Sequence, residues 1–248
     1  MSKSTAKYYY VEEIHNLDAP RKIVPLVLDL IKPKSVIDVG CGTGTWLKIF
    51  KDNGIDDILG LDGTWVDRQM MHKNIDEKNF REVDLEKLSF EDVNRTYDLA
   101  VCLEVAEHLA PEAADLLVSN LTRFSRYVLF SAAIPFQGGI NHVNEQWPEY
   151  WKRKFSKHGF LFFDVIRPQL WNDPQMPYWY KQNTFLVCRK EDAPSATPLQ
   201  NGVYDNNVHP DLYIILASQL DKTENMELST VKYMKMLAKK LLGRGRRK

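Results

Sequence analysis

Apolar residues along this chain fall into short continuous runs, separated by stretches in which they recur at the 3.6-residue spacing of a helix face. Runs of that kind read as strands buried on both faces, alternating with helices that cover them. Five runs stand out, at 35–39, 58–62, 80–85, 97–103 and 126–133, and two more at 160–166 and 184–188. A helix is expected before the first run, with Asp18 near its N-cap and Pro33 just past its end. A second helix starts at Thr45 and stops near Asn53 and Gly54, and a third follows Pro111. Strands alternating with helices predict an α/β doubly wound sheet, whose ligands bind at the carboxyl ends of the strands.

Chemistry gathers at those ends. The first run passes through Asp38 into Gly40, Gly42 and Gly44, and then a helix begins. Glycines there let a ligand approach the backbone over a helix N-terminus. The second run ends in Asp62, 22 residues beyond Gly40, where an acid accepts hydrogen bonds from ribose hydroxyls. The third ends in Asp84, which reads equally as a cap of the following turn. The glycines are spaced Gly-x-Gly-x-Gly, unlike the Gly-x-Gly-x-x-Gly of nicotinamide and flavin binders.

Asp38-x-Gly40-x-Gly42-x-Gly44 followed by Asp62 resembles the opening motifs of class I S-adenosylmethionine methyltransferases, over roughly residues 20–190. The resemblance implies a Rossmann-like seven-stranded sheet with an antiparallel last strand, and S-adenosylmethionine as cofactor. It also implies a cofactor-binding set of Asp38, Gly40, Gly42, Gly44, Asp62, Gly63, Asp84, Leu85 and Glu104, with Asp84 receiving the adenine amino group.

Two further stretches carry acceptor chemistry. Glu104-x-x-Glu107-His108 follows the fourth run, and in a helical turn its three side chains share one face. His142 lies in 137–151, immediately after the fifth run. One reading is a divalent metal, manganese or magnesium, held by Glu104, Glu107, His108 and His142. This pattern resembles small-RNA 2′-O-methyltransferases and the O-methyltransferases of ubiquinone synthesis. A second makes His108 or His142 a general base toward a hydroxyl, with Glu104 alongside as a catalytic residue. A third leaves Glu104 in the cofactor pocket while Glu107 and His108 merely stabilise the next helix start. Methyl transfer from a sulphonium needs alignment and proton removal rather than a covalent intermediate, so no nucleophilic triad is expected.

Trp147, Tyr150 and Trp151, with Trp171, Tyr178, Trp179 and Tyr180, lie around the last two strands beside Asn, Gln and Asp. Such faces suit a sugar, and they equally suit a lid packed on itself. The assembly resembles bacterial methyltransferases of surface-polysaccharide synthesis, which implies an O-methyltransferase acting on a glycan or glycan precursor. The alternatives are a metal-dependent RNA 2′-O-methyltransferase and a non-catalytic methyltransferase-like subunit.

Composition changes the picture in three places. The 33 basic and 33 acidic residues balance, yet 232–248 hold eight bases and no acid, leaving 25 bases against 33 acids elsewhere, net −8. An acidic body disfavours nucleic acid as partner. Three scattered cysteines, no signal-type N-terminus and no membrane-length apolar stretch predict a cytoplasmic protein. Val231, Met234, Leu237, Ala238, Leu241 and Leu242 form an apolar stripe flanked by lysines. That basic amphipathic helix suits peripheral contact with the inner membrane face or self-association, against packing on its own domain or a loose tail. The expected organisation is a catalytic domain at 1–190, a linker or strap at 191–210 and a helical extension at 211–248. Tyr8, Tyr9, Tyr10 and His15 are expected as a lid or a simple cover.

Overall fold

The structure, a computed structural model, describes residues 16–194 and 206–224, with positions 234, 235 and 238. They divide between two units, one ending at Asn207 and one beginning at Val208.

The first unit starts with α1 (Asp18–Ile31). Asn16, not Asp18, supplies the side-chain oxygen at its start, accepting from the Asp18 N–H at 2.9 Å, while Asp18 sits in the first turn where the helix dipole favours an acid. β1 (Ser35–Val39), α2 (Thr45–Asp52), β2 (Asp57–Asp62), α3 (Arg68–His72) and β3 (Phe80–Glu82) follow. Then come β4 (Leu99–Leu103), α4 (Ala114–Phe124), β5 (Tyr127–Ser131) and α5 (Pro148–Ser156). The unit closes with β6 (Phe160–Phe163), α6 (Arg167–Leu170), α7 (Tyr178–Asn183) and β7 (Phe185–Arg189).

These strands form one seven-stranded sheet in the order β3-β2-β1-β4-β5-β7-β6. The first five are parallel to one another, and β7 runs antiparallel to both β5 and β6. Strand order reverses between β1 and β4, which opens a crevice at their carboxyl ends. The two sheet faces bury separate cores. Ile37, Val39, Ala100 and Cys102 join α4 and α5 through Leu117, Leu121, Trp151 and Phe155. Val36, Leu99 and Val101 join α1 and α2 through Ile23, Val27, Leu47 and Phe50. Covering both faces is what demands runs without polar alternation.

The third strand is shorter than its apolar run. It ends at Glu82 because the chain turns at Asp84, whose Oδ1 accepts from Glu86 N at 3.1 Å. The fourth, fifth and sixth also lose residues at their ends; Tyr97 keeps only an isolated bridge to Ser125. The cysteines are free and buried.

The second unit contains α8 (Pro210–Glu224). His209 Nδ1 accepts from Asp211 N at 3.2 Å at its start, and Tyr213, Ile214, Ile215 and Leu220 are exposed. The expected stripe at 231–242 lies outside the described residues apart from Met234, Lys235 and Ala238, which are helical and exposed. The tyrosines at 8–10 and His15 also lie outside them. No helix among the described residues is long and apolar enough to cross a membrane.

Candidate active site

A cleft of about 620 Å³ opens at the carboxyl ends of the central strands, inside the usual range for small-molecule sites. Its floor is the turn between β1 and α2. Gly40 N and Cys41 N both donate to Leu61 O, at 2.7 and 3.1 Å, so the turn is tied to the end of β2. Gly40 has φ +85°, and a Cβ there would lie 2.4 Å from Val105 Cγ2, so only glycine fits. Gly42 and Gly44 also have positive φ. Gly42 lines the cleft, whereas Gly44 lies behind it against Ile75, as the residue preceding α2.

Asp62 anchors the same turn from β2. Its Oδ2 accepts from Gly42 N and its Oδ1 from Gly63 N, both at 2.7 Å. The Trp65 indole adds a further stabilising hydrogen bond, and the ring lies over Gly63. Burial outweighs these donors and pushes the Asp62 carboxyl up to about 6. Asp38 is buried beneath the turn with Oδ2 lacking a hydrogen-bond partner. Burial, and then the neighbouring Asp62, raise its carboxyl well above the usual range. Asp84 and Leu85 line the rim. Asp84 is held in its turn by Lys87, 2.6 Å away, in addition to Glu86 N.

Glu104 departs from the expected helical turn. Its φ is +54°, its N–H donates to Ser131 Oγ at 3.0 Å, and the short helical turn begins only at Ala106. Its carboxylate turns toward amides: Gln137 Nε2 donates to Oε2 at 3.0 Å and Asn183 Nδ2 to Oε1 at 3.1 Å. Glu107 is wholly buried; Oε1 accepts from Ala133 N at 3.2 Å and Oε2 has no hydrogen-bond donor. Burial raises both carboxyls, Glu107 strongly and with Glu104 as the next cause.

Three of the four metal candidates converge. One ligand atom from each of Glu107, His108 and His142 lies within 4.8 Å of the others. Glu104 is not in that group, and its oxygens accept from the two amides instead. The imidazoles of His108 and His142 meet edge to face at 4.8 Å. His142 Nδ1 is 3.0 Å from Glu145 Oε1; an ionised carboxylate only accepts, so Nδ1 carries the proton and Nε2 is the basic nitrogen.

The aromatic candidates separate. Tyr178, Trp179 and Tyr180 line the cleft from the first turn of α7, and Trp46 lies edge-on to Tyr180 at 5.4 Å. Trp151 is core, packed on Phe130 at 5.3 Å, and Tyr150 packs against that core. Spacing gave no reason to single out Trp65, Gln137, Asn183 or Glu145. The signal for Glu145 was its place three residues after His142; for Asn183, an amide directly before a strand.

α7 is placed by a buried ion pair. Arg167 Nε and Nη2 donate to the two Asp164 oxygens at 2.8 and 2.6 Å, and Nη1 donates to Gln182 O at 3.0 Å. The guanidinium also stacks over Phe185. That brings Asn183 to Glu104.

A family model described as a methyltransferase domain matches residues 11–166. No curated protein matches the chain in sequence. Among solved structures, the plantazolicin methyltransferase BpumL, in complex with a pentazolic desmethylPZN analog and SAH, is 15% identical, covering 72% of this chain and 88% of its own, with a TM-score of 0.50. The methyltransferase domain of the bacterial CtHen1-CN is 22% identical, covering 69% and 98%, with a TM-score of 0.49. Magnesium protoporphyrin IX methyltransferase from Synechocystis PCC 6803, with bound SAM, is 19% identical, covering 67% and 76%, with a TM-score of 0.46. At these identities the likeness concerns fold, whereas the family match spans more than half the sequence: the chain belongs to the methyltransferase-domain family and is an S-adenosylmethionine-dependent methyltransferase of class I.

Proposed function

We propose that the protein transfers the methyl group to a hydroxyl oxygen of a sugar or glycan precursor. The observation that carries this reading is His142 in the cleft lining with Nδ1 3.0 Å from Glu145 Oε1; an ionised Glu145 places the proton on Nδ1 and leaves Nε2 to take another. Amine acceptors reach their reactive form without such a base more readily than hydroxyls do. The acceptor oxygen attacks the sulphonium methyl carbon, the carbon–sulphur bond breaks with its electrons going to sulphur, and His142 Nε2 takes the hydroxyl proton.

In the same reading, Asp38 receives the ammonium of the methionine end, for which its unpartnered buried oxygen is suited. The Gly40–Gly42 turn bears on that end, Asp62 and Gly63 on the ribose, and Asp84 and Leu85 on the adenine. Glu104, fixed by Gln137 and Asn183, shapes the pocket floor, and Tyr178, Trp179 and Tyr180 offer faces to the CH surfaces of a sugar. Trp65→Phe keeps a ring but removes the indole donor from Asp62. It is expected to weaken cofactor binding about fivefold, near 1 kcal/mol, in a calorimetric titration.

A second reading rests on Glu107 Oε2, a buried oxygen without a donor beside two imidazoles. One carboxylate and two imidazoles fit a divalent cation of the manganese, iron or zinc type, held by Glu107, His108 and His142. Such an ion would lower the pKa of an acceptor hydroxyl.

A methyl-release assay against sugar nucleotides, oligosaccharides and RNA, with and without chelator and added manganese, tests both readings. Turnover on sugars supports the proposal; turnover on RNA alone replaces it. Loss on chelation with recovery on manganese selects the second reading.

A further inference from the structure

Glu145 faces three donors at once. Its Oε1 accepts from Gly138 N at 2.8 Å and from His142 Nδ1 at 3.0 Å, and its Oε2 accepts from Phe136 N at 2.9 Å. Only a group that accepts on both oxygens satisfies that set; an amide would turn a donor toward a donor. The segment it closes is otherwise hard to hold. Phe136 and Asn141 have φ of +70° and +60°, conformations that side-chain-bearing residues seldom adopt, and Phe136 is largely exposed. The far side of the segment is pinned separately, with Val143 N and Asn144 N on Glu107 O at 2.8 and 3.0 Å and Gln146 N on Ala133 O at 3.1 Å. His142 therefore sits between a clamped end and the Glu145 carboxylate.

The imidazole also packs closely on the backbone. A Cβ on Gly139 would lie 2.2 Å from His142 Nε2, 2.4 Å from Cε1 and 2.7 Å from Cδ2, so only glycine lets the chain lie this close to the ring. The segment thus holds the ring from two sides, with the Glu145 carboxylate on Nδ1 and the Gly139 backbone against the ring.

We propose that Glu145 is a positioning residue for methyl transfer, which holds His142 in the Nδ1-protonated tautomer and locks residues 136–145 around it, with Gly139 letting the backbone lie against the ring. The proposal rests on the reading of His142 as the base. Glu145 itself touches neither cofactor nor acceptor in this arrangement. Its effect passes through the imidazole, in the way a buried carboxylate orients a histidine in other hydrolytic and transfer sites.

The test is ring-¹⁵N histidine NMR on the wild type, Glu145→Gln and Glu145→Asp, with His142→Gln identifying the His142 signals, alongside kcat and KM of each variant. The wild type should show His142 with Nδ1 protonated and Nε2 unprotonated. Glu145→Gln should lose that signature and drop kcat by ~10–100-fold with KM for S-adenosylmethionine unchanged. Glu145→Asp, which keeps both acceptors one methylene shorter, should fall between, and it serves if the glutamine variant does not fold. An unchanged tautomer in both variants overturns the proposal whatever the kinetics. A changed tautomer with unchanged kcat upholds the orienting contact and overturns the base role of His142 instead. Gly139→Ala provides the steric arm: a displaced ring should lose the Nδ1-protonated signature and lower kcat with cofactor binding intact, and an unaltered signature and kcat contradict the locked segment.

Discussion

His142→Ala is expected to slow methyl transfer by ~10²–10⁴-fold while leaving cofactor affinity within about twofold of the wild type. The asymmetry follows from position. The imidazole belongs to the 136–145 segment and meets His108 and Glu145, whereas the end of the cleft proposed for the cofactor is built from the β1 turn and the end of β2. Removing the ring leaves those parts in place and removes the only proton acceptor assigned to the acceptor hydroxyl. Single-turnover rates with saturating S-adenosylmethionine, compared with calorimetric affinities, separate the two effects. Equal loss of rate and affinity would mean that His142 supports the pocket rather than the chemistry.

Asp62→Ala should abolish cofactor binding in practice, by ~100-fold or more. Two backbone N–H groups lose a charged acceptor and the ribose loses its proposed partner, each worth roughly 1.5–3 kcal/mol. The same residue sets a pH dependence whose sign is fixed by its environment. With its carboxyl at about 6 in the fold against 3.8 in the reference state, the folded protein binds the extra proton between those values. The contribution to stability is full below about 4, is lost as pH rises to about 6, and amounts to about 3 kcal/mol. Ribose hydroxyls favour the ionised form, so cofactor binding runs the other way. Affinity should be flat above about pH 7 and weaken by roughly tenfold toward pH 5, whereas Asp62→Asn should bind weakly with no such slope. Calorimetric titrations across pH 5–8 read both curves.

The sheet was legible because strands buried on two faces leave continuous apolar runs, and Asp38, Gly40 and Asp62 mark their ends unambiguously. β3 was overread because Val83 and Leu85 extend the apolar run past the turn that Asp84 imposes. Glu104 was misread for a conformational reason. A left-handed glutamate carries no sequence mark, and it aims the carboxylate at Gln137 and Asn183, which are distant in the chain. Composition could not separate Trp151, which fills the core, from Tyr178 and Trp179, which line the cleft, because each aromatic lies in a similarly mixed stretch. The Glu107, His108 and His142 convergence needed the 136–145 segment to fold back on Glu107 O, a backbone contact that no motif encodes.

The most direct test of the account is transfer from methyl-¹³C S-adenosylmethionine to the sugar acceptors, with the product read by ¹³C NMR in wild type and His142→Ala. The account predicts an O-methyl signal on a sugar carbon framework, present in the wild type and lost on the variant's single-turnover timescale despite bound cofactor. A methyl group found on nitrogen or carbon, or O-methylation that proceeds equally well without His142, would contradict it.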